Sequence, residues 1–115
     1  MTEKQLTRFP NWKMPDIRHG VPTVYGWTIY YPDGLILGKY TDIAWGTFIQ
    51  AQYGVVIEEE VQIGPFCAIL SSNTINGTKG QIIIGRGAMI GAYTLILPNV
   101  IIEPGQFVKA RSILK

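Results

Sequence analysis

Histidine and cysteine are nearly missing from this chain, which has one of each, His19 and Cys67, in 115 residues. A lone cysteine makes no internal disulfide, so nothing here calls for an oxidising compartment. One histidine cannot build a three-histidine zinc centre, and it leaves a single histidine candidate for a general base. Charge is scarce too: 16% of residues are charged, against about a quarter in a typical globular domain. A net charge of +2 is too mild to argue for nucleic acid. No stretch approaches ~18 uninterrupted apolar residues, so no membrane-spanning helix is expected. The first nine residues, MTEKQLTRF, carry charges but no apolar core, so they are not read as a secretory signal. The expectation is a soluble, cytoplasmic, single-domain protein.

What the chain has instead is a period of six. Aliphatics fall at Ile57, Ile63 and Ile69, then at Ile84, Ile90, Ile96, Ile102, Val108 and Leu114. Four positions after most of them stands a second small or aliphatic residue: Val61, Cys67, Ala88, Thr94, Val100, Ser112. This is neither the 3.6 of a helix nor the alternation of a plain strand. It is the pattern of a short strand, a corner, and a repeat, with three units closing a coil of about 18 residues. The pattern predicts an all-β parallel β-helix. Earlier hexads start at Leu37, Ile43 and Ile49.

The period slips twice. Ile49 to Ile57 takes eight residues, which predicts a bulge near Gln52 to Gly54. Ile69 to Ile84 takes fifteen, where two hexads need twelve, and the surplus predicts a short loop within 71–80. Asn73, Asn76, Gly77 and Gly80 suit such a loop. Counting hexads in threes predicts three inner ladders. The first holds Leu37, Ile57, Ile96 and Leu114; the second Ile43, Ile63, Ile84 and Ile102; the third Ile49, Ile69, Ile90 and Val108. Before the repeat, Pro10, Pro15, Gly20, Pro22 and Gly26 break residues 1–26 into extended pieces. Their apolar content, including Trp12, Ile17 and Tyr25, predicts an arm packed on the solenoid or on a neighbouring copy. Trp27 to Tyr31 is a predicted strand, and Pro32-Asp33-Gly34 a turn. The domain is thus 1–115, with an arm over 1–26 and a β-helix over 27–115.

Several runs carry a family resemblance: Thr41 through Ile49, Tyr53-Gly54-Val55, Val61-Gln62-Ile63-Gly64, Gly80 through Gly85, and Ile96 through Ile102. Together, over Trp27 to Leu114, the chain resembles the hexapeptide-repeat acyltransferases, and in particular small sugar acetyltransferases of surface-polysaccharide pathways. The resemblance implies a left-handed parallel β-helix, a homotrimer, and acetyl-CoA as co-substrate with no metal. It implies acyl transfer to a sugar or sugar-nucleotide, at a site between adjacent solenoids where acyl-CoA lies parallel to the axis. The outward aromatics Tyr40, Trp45, Phe48, Phe66 and Tyr93 then belong to the trimer interface, or else pack under the chain's own arm.

Many members of that family use a histidine in or near the loop as a base. Here the loop offers Ser71-Ser72-Asn73-Thr74, and His19 lies in the arm. Three readings stay open. A sugar amine, already nucleophilic, could be positioned by Ser72 and Asn73 without a base. His19 could fold across an interface and supply one. Or the chain could keep the fold without catalysis, as a binding or assembly module. Asp42 and Ser71 are candidate substrate contacts. By position, the family's CoA groove falls on Gly91, Ala92, Lys109, Ala110 and Arg111, the two cations suiting phosphate. Many relatives continue beyond the last coil with a segment that covers CoA, so a more open donor site is expected here. Glu58-Glu59-Glu60 alternates faces along a strand, which argues against a shared metal site. The glycines of Gly85-Arg86-Gly87 belong to the repeat and not to a phosphate loop.

Overall fold

A computed structural model describes residues 11–115, so residues 1–10 of the expected arm lie outside the described residues. The first coil runs through β1 (Thr28–Tyr30), β2 (Leu35–Leu37) and β3 (Asp42–Ile43). The second comprises β4 (Phe48–Gln50), β5 (Val55–Ile57) and β6 (Gln62–Ile63). The third begins with β7 (Ala68–Leu70) and is interrupted by a hairpin, β8 (Ser72–Asn73) and β9 (Thr78–Lys79). It resumes with β10 (Ile82–Ile84) and β11 (Met89–Ile90). The fourth holds β12 (Leu95–Ile96), β13 (Ile101–Ile102) and β14 (Phe107–Val108), and β15 (Ile113–Leu114) opens a fifth.

Stacked in parallel, these strands form three faces of a prism. Face one is β1-β4-β7-β12-β15, face two β2-β5-β10-β13, and face three β3-β6-β11-β14. Strands stay at two or three residues because the corners turn through the left-handed backbone region. Tyr31, Tyr40, Glu60, Phe66, Tyr93, Asn99 and Arg111 all adopt positive φ there. This is a parallel β-solenoid of about four turns, the architecture that the hexads predict.

The core is the inward aliphatic of each strand, with Ile29, Ile49, Ile57, Ile69, Ile84 and Ile96 all fully buried. Each buried isoleucine stabilises the fold by about 1.5–3 kcal/mol through removal of apolar surface from water. The second inner position of the hexad carries buried threonines as well as aliphatics. Their hydroxyls are satisfied: Thr47 Oγ1 donates to Gly64 O at 2.9 Å, and Thr94 Oγ1 to Gly91 O at 2.8 Å.

The observed ladders differ from those expected. Ile29, Ile49, Ile69, Ile96 and Leu114 share face one; Leu37, Ile57, Ile84 and Ile102 share face two; Ile43, Ile63, Ile90 and Val108 share face three. Ile84 therefore stands on Ile57 and not on Ile63. The fifteen-residue step from Ile69 crosses one corner and not two, because the surplus leaves the prism as the hairpin. Ile29, expected in a strand before the repeat, is already its first rung.

One regularity emerges from this register. The steps Ile29 to Leu37, Ile49 to Ile57 and Ile69 to Ile84 all exceed six residues, and all turn the corner from face one to face two. Stacking the irregular turns on one edge leaves the other two corners free to repeat.

The described part of the arm packs on its own chain. Gly20 N–H donates to Ile29 O at 2.7 Å and Thr23 N–H to Trp27 O at 2.8 Å, beside bridges from His19 to Ile29 and from Pro22 to Thr28. Further along the prism, the Trp12 indole N–H donates to Thr41 O at 2.9 Å, and its ring meets Tyr40. The arm thus covers the edge strand β1, whose backbone groups would otherwise be open to a second chain. No helix among the described residues is long and apolar enough to cross a membrane.

Candidate functional site

The irregular corner carries the polar side chains that the sequence singles out. Ser71 follows β7 and is fully buried. Its Oγ–H donates to Gln50 Oε1 at 2.8 Å, and the same oxygen accepts Tyr53 N–H at 3.0 Å. Ser71 is therefore occupied in tying the second coil's corner to the third. Ser72 and Asn73 sit on the hairpin, half-buried, paired with Lys79 and Thr78. Asn73 Oδ1 accepts Ile75 N–H at 3.3 Å, the self-bonding expected of asparagine at a turn. Its side-chain NH2 is the group available for a ligand. Lys79 lies over the Tyr53 ring at 5.2 Å, and Asn99 Nδ2 donates to Lys79 O at 3.3 Å, which fixes the hairpin's base to the coils on either side.

His19 reaches the same edge, but at the first coil. Its Nδ1 accepts the Tyr31 backbone N–H at 2.9 Å, and its ring stands edge-on to Tyr30 and Tyr31. With Nδ1 engaged as acceptor, the neutral ring carries its proton on Nε2. It thus presents a donor to solvent, and its lone pair is turned inward.

Face three is different in character. Its outward positions hold Asp42, Gln62, Met89 and Phe107, and beside them a column of Ala44, Gly64 and Gly91. These residues line a groove of about 380 Å³ that runs along the solenoid axis. The bare floor has a packing origin. A Cβ on Gly64 would come within 2.7 Å of Ala92 N, and one on Gly91 within 2.4 Å of Ala110 N. The coil above leaves no room for a side chain at these two positions. The floor's amides are spent on the ladder, Gly64 N–H to Ile90 O and Gly91 N–H to Val108 O. Gly91 and Asp42 line the groove itself. Ala92, Lys109, Ala110 and Arg111 continue the same face and its corner toward the last coil, the last three of them exposed.

Hairpin and groove lie on opposite sides of one protomer, since the corner between faces one and two is opposite face three in a triangular prism. The structure therefore brings Ser71, Ser72 and Asn73 together, groups Gly91 with Ala92, Lys109, Ala110 and Arg111, and separates the two sets. Asp42 belongs with the second set.

At the corner from face three to face one runs a column that sequence reasoning had treated only as scattered outward aromatics. Trp45 and Phe66 meet edge to face at 4.8 Å, and Phe66 and Tyr93 stack at 5.3 Å and 21°. The register that aligns them is invisible until the ladders are known. Of the other two aromatics, Phe48 packs on Tyr30 and Tyr40 on Trp12.

Cys67 is buried, and burial pushes its thiol upward in pKa, partly offset by hydrogen bonds from the backbone of Thr94 and Tyr93 and from Thr47. Its S–H points at Gly91 O, 3.3 Å away. A protonated, enclosed thiol is not a nucleophile. Glu60 is buried and pairs with Arg86 at 3.2 Å, while Glu58 accepts the Arg86 backbone N–H. Compared with family models, curated proteins and solved structures, the chain matches none.

Proposed function

We propose that the chain is a CoA-dependent acyltransferase that acetylates the amine of a sugar or sugar-nucleotide, working as a homotrimer of left-handed coils. The observation that carries this reading is the axial groove on face three, floored by Ala44, Gly64 and Gly91. A floor of one alanine and two glycines, with nothing on it larger than a methyl, lets a long, thin chain such as pantetheine lie flat. Lys109 and Arg111 stand at the end where the phosphates would come.

The engagement of His19 Nδ1 by Tyr31 N–H supports an amine acceptor. Its free nitrogen bears a proton, so an alcohol would find no base there, whereas a neutral amine needs none. The amine nitrogen attacks the thioester carbonyl, the C–N bond forms as the C–S bond breaks, and the thiolate leaves with the proton the amine gives up. The Asn73 side-chain NH2 and the Ser72 hydroxyl are the donors for the oxyanion or the acceptor sugar.

Because groove and hairpin lie on opposite sides of a protomer, a complete site needs the hairpin of one copy against the groove of another. A cyclic trimer supplies that pairing three times. The apolar outer strips Ile36-Val56-Ile83-Ile101 on face two and Phe48-Ala68-Leu95-Ile113 on face one suit burial between copies.

Calorimetric titration with acetyl-CoA, alongside sedimentation, tests the reading. One saturable site per chain on a trimer is the expected result. No heat up to millimolar acetyl-CoA would remove the enzyme and leave the second reading, a non-catalytic assembly module. That reading draws on the same inward-turned lone pair of His19.

A further inference from the structure

Tyr93 holds a backbone conformation that bulky residues avoid, with φ +60°, and yet its side chain is 60% exposed. At the equivalent corner the first two coils use Gly26 and Gly46 and the third uses Phe66 at φ +58°, while at the corner from face two to face three Tyr40 and Glu60 give way to Gly87 and Gly105. Glycine would relieve the strain. An exposed ring kept at a strained position points to a use for that ring. One face of Tyr93 is covered by Phe66. The next residue of the column is Arg111, whose backbone N–H donates to Ala92 O, placing the two turns one above the other. The guanidinium is not laid on the ring: among the described residues the cation–π contact is Lys79 on Tyr53. Lys109 stands two residues before Arg111, exposed, at the end of the face-three groove.

Charge agrees with this geometry. After Glu60 the chain carries Lys79, Arg86, Lys109, Arg111 and Lys115 against one carboxylate, Glu103. The last two coils thus present an open aromatic face beside two cations, which complements a planar base bearing phosphates.

Resting on the donor reading above, we propose that Tyr93 is the platform on which the adenine of acetyl-CoA stacks, with Lys109 and Arg111 on its phosphates. Tyr93 then sets specificity for the nucleotide end of the donor and takes no part in the chemistry. Trp45 and Phe66 buttress it from the far side.

The test is calorimetry with three probes: acetyl-CoA, adenosine 3′,5′-bisphosphate and S-acetylpantetheine. The variants are Tyr93→Phe, which keeps the ring, and Tyr93→Asn, which removes it but tolerates positive φ. Tyr93→Asn is expected to weaken acetyl-CoA and the bisphosphate about tenfold, the scale of one base–aromatic stack. It should leave S-acetylpantetheine unchanged, and Tyr93→Phe should match the parent throughout. Equal binding of acetyl-CoA by parent and Tyr93→Asn overturns the platform and leaves the donor groove standing. A parallel loss of S-acetylpantetheine overturns it too, since the ring then supports the groove and not the base. If the parent binds none of the probes, the donor reading itself fails, and the platform with it.

Discussion

The Phe66 ring lies where a side chain on Gly46 would have to go: a Cβ there would come within 2.7 Å of Phe66 Cδ1 and Cε1. Gly46 also sits at φ +81°. The aromatic column therefore depends on a glycine one coil below it. Gly46→Ala is expected to destabilise the protein by about 1–3 kcal/mol, combining left-handed strain with displacement of the ring. Gly105→Ala is the control, since it has φ +72° but open space around its Cβ. Its loss should be about 1 kcal/mol, strain alone. Urea midpoints followed by tryptophan emission give both values. Equal losses would mean that contact with Phe66 contributes nothing.

Ser71 was a candidate substrate contact by sequence, and its bonds to Gln50 and Tyr53 give it a different task. Ser71→Ala leaves the part-buried Tyr53 N–H and Gln50 Oε1 each short of a partner, a cost of about 1–3 kcal/mol. The expected outcome is a lower denaturation midpoint with acetyl-CoA affinity intact. Unchanged stability with a weakened acceptor KM would return Ser71 to the substrate.

Cys67 predicts a specific alkaline behaviour. Its thiol is raised in the folded state, chiefly by burial, above the ordinary value near 9. The folded chain holds that proton more tightly than the unfolded one, so the contribution is fully present below the unfolded pKa. It is lost as pH rises through the window up to the folded value. Stability should fall more steeply above about pH 8.5, the range of an unperturbed thiol, in the parent than in Cys67→Ala. Parallel stability curves for the two would show that Cys67 does not titrate differently on folding.

The solenoid was legible because each inward isoleucine must recur at the pitch of the coil, and a one-residue slip would expose the whole ladder. What the hexads could not reveal was how many corners the stretch from Ile69 to Ile84 crosses. Residue counts that differ by a hairpin fit either answer, and the wrong one shifted every later ladder by a face. That shift hid the column Trp45–Phe66–Tyr93, whose members align only in the true register. It also hid the opposition of hairpin and groove, which is a property of the closed prism. The glycines of the groove floor were legible as repeat positions, and the reason they exclude side chains, the backbone of the coil above, was not. His19 could be placed in the arm by eye. Which of its nitrogens is engaged depends on Tyr31, twelve residues on, and no local pattern specifies that contact.

That contact yields the prediction that separates the mechanisms. A positioned general base contributes about 10²–10⁴-fold to rate. With Nδ1 held by the Tyr31 amide, His19 can act as a base through Nε2 only as the other tautomer, which gives up the hydrogen bond. Under the proposed function, His19→Ala should therefore change kcat/KM for an amino-sugar acceptor by less than about threefold, far below the effect of losing a base. Its visible effect should be on the arm: faster amide exchange at Tyr31 and Gly20, whose N–H groups bond across the edge of β1. A loss of a hundredfold or more with normal exchange at those amides would make His19 the base. The amine preference would then lose its argument, and hydroxyl acceptors would become the first to screen.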